Sequence, residues 1–168
     1  LPYPPKKHVI SGLIAGGKRL EAARDAAAGP PEPPRDGVLC PGGEVLAQHL
    51  AKPELLYQGK PRRIILSEQG FHTLLTPDGE NLQAAAYAYA WEKIQTLPTI
   101  DAFIYHRHVD HAHEGGLRLG LWRNAPNSVA DPHSKKLIYD LFKKAGTPEW
   151  RAAADALLPV TGLKAWGK

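Results

Sequence analysis

The amino-acid sequence predicts an α/β fold in which parallel strands alternate with helices. Two apolar runs, RIILS (63–67) and TIDAFIYH (99–106), are short and nearly continuous, as is typical of strands buried on both faces of a parallel sheet. Helical patterns precede, separate and follow them, which gives the order helix, strand, helix, strand, helix. Such alternation implies parallel strands joined by crossovers. Because two strands do not form a stable sheet alone, they are predicted to belong to a larger barrel or doubly wound sheet.

Four segments carry the helical patterns. Apolar residues at helical spacing predict a first helix over 44–51 (EVLAQHLA) and a long helix over 81–97, which Pro98 ends. An amphipathic helix is predicted over 134–146, closed by its terminal glycine, and a short helix over 148–158 begins with proline in its first turn. The side of the long helix predicted to face the core comprises Leu82, Ala85, Ala86, Tyr89, Ala90, Lys93, Ile94 and Leu97.

Residues 1–43 form a Pro/Ala-rich segment that differs from residues 44–168. LPYPP opens it and GPPEPP (29–34) interrupts it, and proline at this density opposes both helix interiors and sheet pairing. The segment is therefore predicted to be mostly loop or poorly ordered, apart from a short helix over 18–28. The chain begins with Leu1 and contains no methionine, so it is expected to be a fragment or a processed chain.

Composition narrows the classes of partner. The formal net charge is +4, but the basic residues are scattered rather than concentrated on a stripe, which argues against nucleic-acid binding. No apolar run reaches the length of about 18 residues that predicts a membrane span, and no segment has the pattern of a signal peptide. A single cysteine, Cys40, excludes an internal disulfide framework.

The most unusual stretch is HRHVDHAHEGG (106–116). His106, His108, Asp110 and His111 form the H-x-H-x-D-H signature of metallo-β-lactamase-type hydrolases, in which imidazoles and a carboxylate hold zinc. The helix–strand order and the scarcity of downstream ligands, where only His133 remains, argue against that class. The competing interpretation is a polar loop at the end of a strand that binds substrate.

Polar residues also follow the first predicted strand. In parallel α/β folds, functional side chains collect where strands end and loops to helices begin. Glu68 stands at such a position and is a candidate catalytic carboxylate. The structural alternative is that Glu68 pairs with Arg62, Arg63 or Arg107 and fixes the loop.

Two sequence stretches resemble the last two strands of glycosidase (β/α)8 barrels. IILSEQG (64–70) is similar to strand seven of retaining enzymes, which ends in a nucleophilic Glu, and 103–122 is similar to strand eight. Over Leu46–Trp166 the chain resembles a bacterial family of unknown function placed in the glycoside-hydrolase-like barrel superfamily. The resemblance implies that the fold is the C-terminal portion of a TIM barrel. It also implies that the protein is secreted or periplasmic.

The resemblance also implies residue roles. Glu68 is expected to act as nucleophile or catalytic carboxylate, while the usual acid/base from strand four lies outside this sequence. Glu114 and Asp110 are the local candidates for that partner, and Glu114 would need a pKa raised by burial. The residues expected to bind substrate are His72, His106, Arg107, His108 and Trp122.

The expected function is glycoside hydrolysis without a cofactor, on a carbohydrate substrate. One alternative is a barrel that binds carbohydrate without cleaving it, and a second is a metal-dependent hydrolase that uses the histidine cluster. An incomplete barrel would expose strand edges, so self-association is also expected.

Overall fold

The structure, a computed structural model, describes residues 7–10 and 41–166. The Pro-rich stretch 29–34 and the short helix predicted over 18–28 lie outside the described residues. Among the helices of the described part, none has the length and apolar character that crossing a membrane requires.

Strands and helices alternate through most of the described chain. The strands are β1 (Lys7–Ile10), β2 (Ile64–Gln69), β3 (Ile100–Tyr105), β4 (Trp122–Asn124) and β5 (Pro132–Lys135). The helices are α1 (Pro41–Leu50), α2 (Gly79–Gln95), α3 (Leu137–Lys144), α4 (Trp150–Asp155) and α5 (Leu158–Thr161), with a 3-10 turn at Pro53–Leu55. The four predicted helical segments between 44 and 158 are therefore confirmed, with shifted ends.

The α/β prediction is confirmed as a small parallel sheet. β3 is its central strand, with β2 on one side and β1 on the other, and all pairings are parallel. The predicted partnership of the two apolar runs is correct, since Ile64 lies opposite Ile100 and Leu66 opposite Phe103. β4 and β5 form a separate antiparallel pair. The described residues contain no closed barrel, so the finer expectation of a TIM barrel is not shown by this fold.

One face of the sheet is covered by α2 and forms the core. Tyr87 is fully buried against Phe103 and Tyr105 of β3, and against Phe142 and Trp150 of the following helices. The buried side of α2 comprises Gln83, Ala84, Ala85, Tyr87, Ala88, Ala90, Trp91 and Ile94. The predicted side is thus only partly right. Alanines occur on both sides of α2, so the spacing of apolar residues alone did not show which side is buried. The large rings of Tyr87 and Trp91 determine the buried side.

The edge strand β2 leaves apolar surface uncovered. The side chain of Ile65 is 61% exposed although its neighbour Ile64 is buried. Strands of parallel sheets are normally covered on both faces. The described part of the chain covers this side of β2 incompletely.

Candidate functional site

The carboxyl ends of β2 and β3 lie side by side and bring their two loops together. The backbone N–H of His106 donates to the carbonyl of Gln69 at 2.7 Å. Gly70 approaches so closely that a Cβ atom there would overlap the carbonyl oxygen of His106. Glycine at position 70 is therefore what lets the two strand ends converge. The two strand ends at which the site was predicted therefore meet, and the roles predicted for its residues stay predictions.

Glu68 lies in an irregularity at the end of β2. Leu66 pairs with Phe103 and Gln69 with Tyr105, so three steps along β2 match two along β3. A bulge of this kind inserts one extra residue and redirects a neighbouring side chain. Glu68 is half-buried, and its side chain makes no hydrogen bond or ion pair with any residue in 43–166.

The arginines that the structural alternative paired with Glu68 have other partners. Arg62 donates to the carbonyl of Leu55 at 3.2 Å, and Arg63 pairs with Asp101. Arg107 pairs with Glu114 instead. The structural alternative for Glu68, in which an arginine neutralises it, does not hold within the described chain.

The loop after β3 folds back on its own start and on β4. Leu121 N–H donates to the Arg107 carbonyl at 3.0 Å, and Trp122 N–H donates to the His108 carbonyl at 3.0 Å. Asp110 N–H donates to the Trp122 carbonyl at 2.8 Å. A Cβ at Gly120 would overlap this backbone, which explains the need for glycine at that position. The histidine-rich segment is consequently held in place by β4.

Glu114 anchors the first two residues after β3. Its Oε1 accepts a hydrogen bond from His106 Nε2 at 3.1 Å, and its Oε2 pairs with Arg107. Burial alone would raise the pKa of Glu114, but the hydrogen bonds and charges of His106 and Arg107 outweigh it and lower the pKa. An ionised carboxylate held this way favours positioning over proton donation. His106 Nδ1 is buried and has no partner in the described part of the chain.

Replacing Glu114 with glutamine is expected to destabilise the fold by about 1.5–3 kcal/mol at neutral pH, the range for hydrogen bonds to charged groups. Because the folded-state pKa lies below the unfolded value, this contribution is present above the unfolded pKa of about 4.3 and is lost as the pH falls through the folded pKa. Denaturant unfolding of both proteins between neutral pH and pH of about 3 measures the difference. The exposed Glu54→Gln provides the control. An equal difference at both pH values would contradict this prediction.

Asp110 belongs to a second, buried cluster. Its Oδ1 accepts from Lys136 Nζ at 2.7 Å and from the Gly120 N–H at 2.7 Å. Lys136 also donates to Thr73 Oγ1 at 2.9 Å, and its side chain is 1% exposed. Burial lowers the pKa of Lys136, and the hydrogen bond and charge of Asp110 oppose this only in part. These contacts favour a role for Asp110 in holding the loop.

Gln83 connects both loops to α2. Its Oε1 accepts from Thr73 Oγ1 at 2.7 Å, and its Nε2 donates to the Phe71 carbonyl at 2.9 Å. Tyr105 lies in the same network, where its hydroxyl donates to the Leu119 carbonyl at 2.8 Å. Sequence reasoning missed Gln83 and Lys136. Gln83 lies one turn before Tyr87, so a correct placement of the buried helix side would have revealed it, whereas no periodicity marks Lys136.

The remaining predicted binding residues take different positions. His72 accepts the Arg118 N–H at its Nδ1 at 2.9 Å. His108 is exposed, and its ring lies 6.4 Å from that of Trp122. Trp122 is half-buried, and its Nε1 has no partner in the described part of the chain. His72, His106 and Arg107 stay next to the strand ends, while His108 and Trp122 line the β4 side.

The four residues of the H-x-H-x-D-H pattern do not converge. His106 bonds Glu114 and Asp110 bonds Lys136, while His111 accepts the His113 N–H at its Nδ1. Over the described residues, no group of three or more His, Cys, Asp or Glu side chains has a geometry that could hold a metal ion. The alternative of a metal-dependent hydrolase thus gains no support from this geometry.

No curated protein and no solved structure matches the chain significantly. Residues 43–168 match a family of unknown function, DUF5722. This range includes the whole of the site and most of the chain. The chain therefore belongs to the DUF5722 family.

Proposed function

We propose that this chain is part of a carbohydrate-active protein of the glycoside-hydrolase type, with Glu68 as its catalytic carboxylate. The observation that carries the proposal is the state of Glu68: a half-buried carboxylate, in a bulge at a strand's carboxyl end, without a described partner. A carboxylate that forms no ion pair or hydrogen bond with its neighbours is available to bind a ligand. Its place at the end of a parallel strand is where such folds put chemistry.

The proposed chemistry is nucleophilic displacement at a sugar. A carboxylate oxygen of Glu68 attacks the anomeric carbon, the glycosidic C–O bond breaks, and the leaving oxygen takes a proton from the acid/base carboxyl group that the barrel resemblance implies on another strand. Water then hydrolyses the glycosyl ester. Arg107, which Glu114 fixes, supplies hydrogen bonds to hydroxyl groups, and His72 adds a second group on the neighbouring loop, while the buried His106 holds Glu114 in place.

The barrel remains part of the proposal. Three parallel strands with an open side at Ile65 are what a portion of a (β/α)8 barrel presents, since the other face of such strands packs inside the barrel. The order of β2 and β3 with an intervening helix is also consistent with consecutive barrel units. A site of this type would lie at the carboxyl ends of several strands.

One observation favours the second candidate function, carbohydrate binding without cleavage. Retaining hydrolysis needs a second carboxyl group about 5–5.5 Å from the nucleophile. The two local candidates are both engaged, Glu114 with His106 and Arg107, and Asp110 with Lys136. Glu68 alone binds a sugar hydroxyl equally well, so the experiment has to separate attack from binding.

Fluoroglycosides with a dinitrophenolate leaving group distinguish nucleophilic attack from binding. The dinitrophenolate leaves without being protonated, so the reaction needs no acid group on the protein. We expect a panel with different sugar configurations to give a stable glycosyl ester on the peptide that contains Glu68, detected by mass spectrometry of the intact and digested protein. Glu68→Gln should abolish labelling, since an amide is a far weaker nucleophile. Glu54→Gln, an exposed position in the 3-10 turn, should label like the parent protein.

Three outcomes would contradict the hydrolase proposal. Labelling that survives Glu68→Gln would place the nucleophile elsewhere. Sugar binding by calorimetry without any ester on the parent protein would support the binding function instead. Neither labelling nor binding across the panel would overturn both carbohydrate functions.

A further inference from the structure

A cleft opens beside the strand-end site. This cleft has a volume of about 600 Å³ and lies between the loop after β2, the start of α2 and the start of α3. The volume falls within the range of about 300–1,000 Å³ found for small-molecule sites. Glu68 does not line it, so the cleft is separate from the carboxylate discussed above.

The charges of the side chains that line the cleft do not sum to zero. Its carboxylates are Glu80 and Asp110, and its cations are Arg118, Arg123 and Lys136. Glu80 pairs with Arg123, and Asp110 pairs with Lys136 at 2.7 Å. Arg118 has no carboxylate partner in the described part of the chain. The cleft therefore carries one uncompensated positive charge.

Arg118 is also fixed in place. Its Nε and Nη2 donate to the Thr73 carbonyl at 3.1 and 2.7 Å. Its Nη1 has no described partner, so one edge of the guanidinium group is free to bind a ligand. The charge of Arg118 acts on Lys136 as well: after burial, it is one of the influences that lower the pKa of Lys136. An anion bound to Arg118 would balance its charge and would also offset the influence of that charge on the pKa of Lys136.

The rim of the cleft adds apolar surface. Leu74, Leu75 and Leu137 line it and are 46%, 89% and 41% exposed. A free inorganic ion would leave these side chains uncovered, whereas an organic body would cover them. A dianion would place excess negative charge near Asp110 and Glu80, whereas a monoanion matches the single free cation.

We propose that the cleft is a binding site for a monocarboxylate carried on a sugar-sized organic molecule, with Arg118 as the residue that binds the carboxylate. Arg118 presents a planar donor group of the kind that matches a carboxylate. The three leucines contact the body of the ligand. The proposal does not depend on a nucleophilic role for Glu68.

Uronic acids are suitable probes, because each has a neutral parent sugar of the same shape. Calorimetric titration with glucuronate, galacturonate and mannuronate, each paired with its neutral sugar, should give binding of at least one uronate and not of its parent. The affinity should fall as salt is added. Arg118→Gln should weaken binding by about tenfold to a hundredfold, the equivalent of one charge-assisted hydrogen-bonded pair. Arg62→Gln is the matched control, because Arg62 also binds a backbone carbonyl but lies outside the cleft.

A second variant guards against a folding defect in Arg118→Gln. Leu75 is almost fully exposed, so Leu75→Asp keeps the fold while placing a negative charge at the mouth of the cleft. At low salt it should weaken uronate binding by about two- to fivefold more than Leu75→Asn does, because both variants lose the apolar contact of Leu75 and only the aspartate adds a charge. Absence of uronate binding, or an affinity unchanged in both charge variants, would overturn the proposal. Glu68→Gln should leave uronate affinity unchanged, so the two proposals can fail separately.

Discussion

Replacing Lys136 with methionine is expected to lower the free energy of unfolding by about 3–5 kcal/mol, the usual cost of removing one partner of a buried ion pair. Methionine keeps the apolar stem of the side chain but removes the ammonium group that contacts Asp110 and Thr73. Among the described residues, Asp110, itself buried, would keep only the Gly120 N–H as a partner. Denaturant unfolding followed by tryptophan fluorescence measures the change.

Two further variants make the Lys136 test specific. The exposed Lys52→Met should change stability by less than about 0.5 kcal/mol. Asp110→Asn combined with Lys136→Met should recover part of the loss, because the amide oxygen still accepts from Gly120 and no buried charge remains unpaired. A loss below about 1 kcal/mol for Lys136→Met alone would mean that the pair behaves like an exposed one.

Replacing Tyr87 with alanine is expected to cost about 3–5 kcal/mol, the range for removing a buried aromatic side chain. The Tyr87 ring lies at centroid distances of 5.6–6.2 Å from four aromatic rings that come from β3, α3 and α4. Its loss would open a cavity where the sheet and three helices meet. The measurement is again the free energy of unfolding in denaturant.

Tyr87→Phe separates the ring from its hydroxyl group. The hydroxyl is buried without a described partner, so removing it should leave stability unchanged or raise it by up to about 1 kcal/mol. Tyr89→Ala on the half-buried side of α2 should cost clearly less than Tyr87→Ala. An equal cost would mean that α2 turns a different side to the core. A loss in Tyr87→Phe would show that a water molecule binds the hydroxyl.

The parallel sheet was predictable where the sequence signal is local. β-branched and aromatic residues in short runs identified β2 and β3, and the helical pattern between them required a parallel pairing. β1 was missed, because pairing of residues 7–10 with β3 depends on contacts that no local pattern encodes. β4 and β5 were also missed, since polar strands of three and four residues resemble loop.

The candidate site was predictable in its position and less so in its contacts. The strand-end rule predicted that the ends of β2 and β3 meet, as His106 and Gln69 do, while the roles of Glu68, His72 and Arg107 stay predictions. The partners of each residue could not be predicted, because they depend on how the loop after β3 folds over β4. Glu114 binds the residues eight and seven positions before it, and Lys136 lies 26 positions from Asp110.

The order of strands in the sheet has a consequence for the route by which the chain folds. β2, α2 and β3 are consecutive, so their contacts close short loops and have low contact order. β1 joins β3 from the distant amino-terminal end, and the loop that this pairing closes is several times longer. The β2–α2–β3 unit is therefore expected to form the folding nucleus, with β1 docking afterwards, so that the amide protons linking β1 to β3 exchange with solvent before those linking β2 to β3.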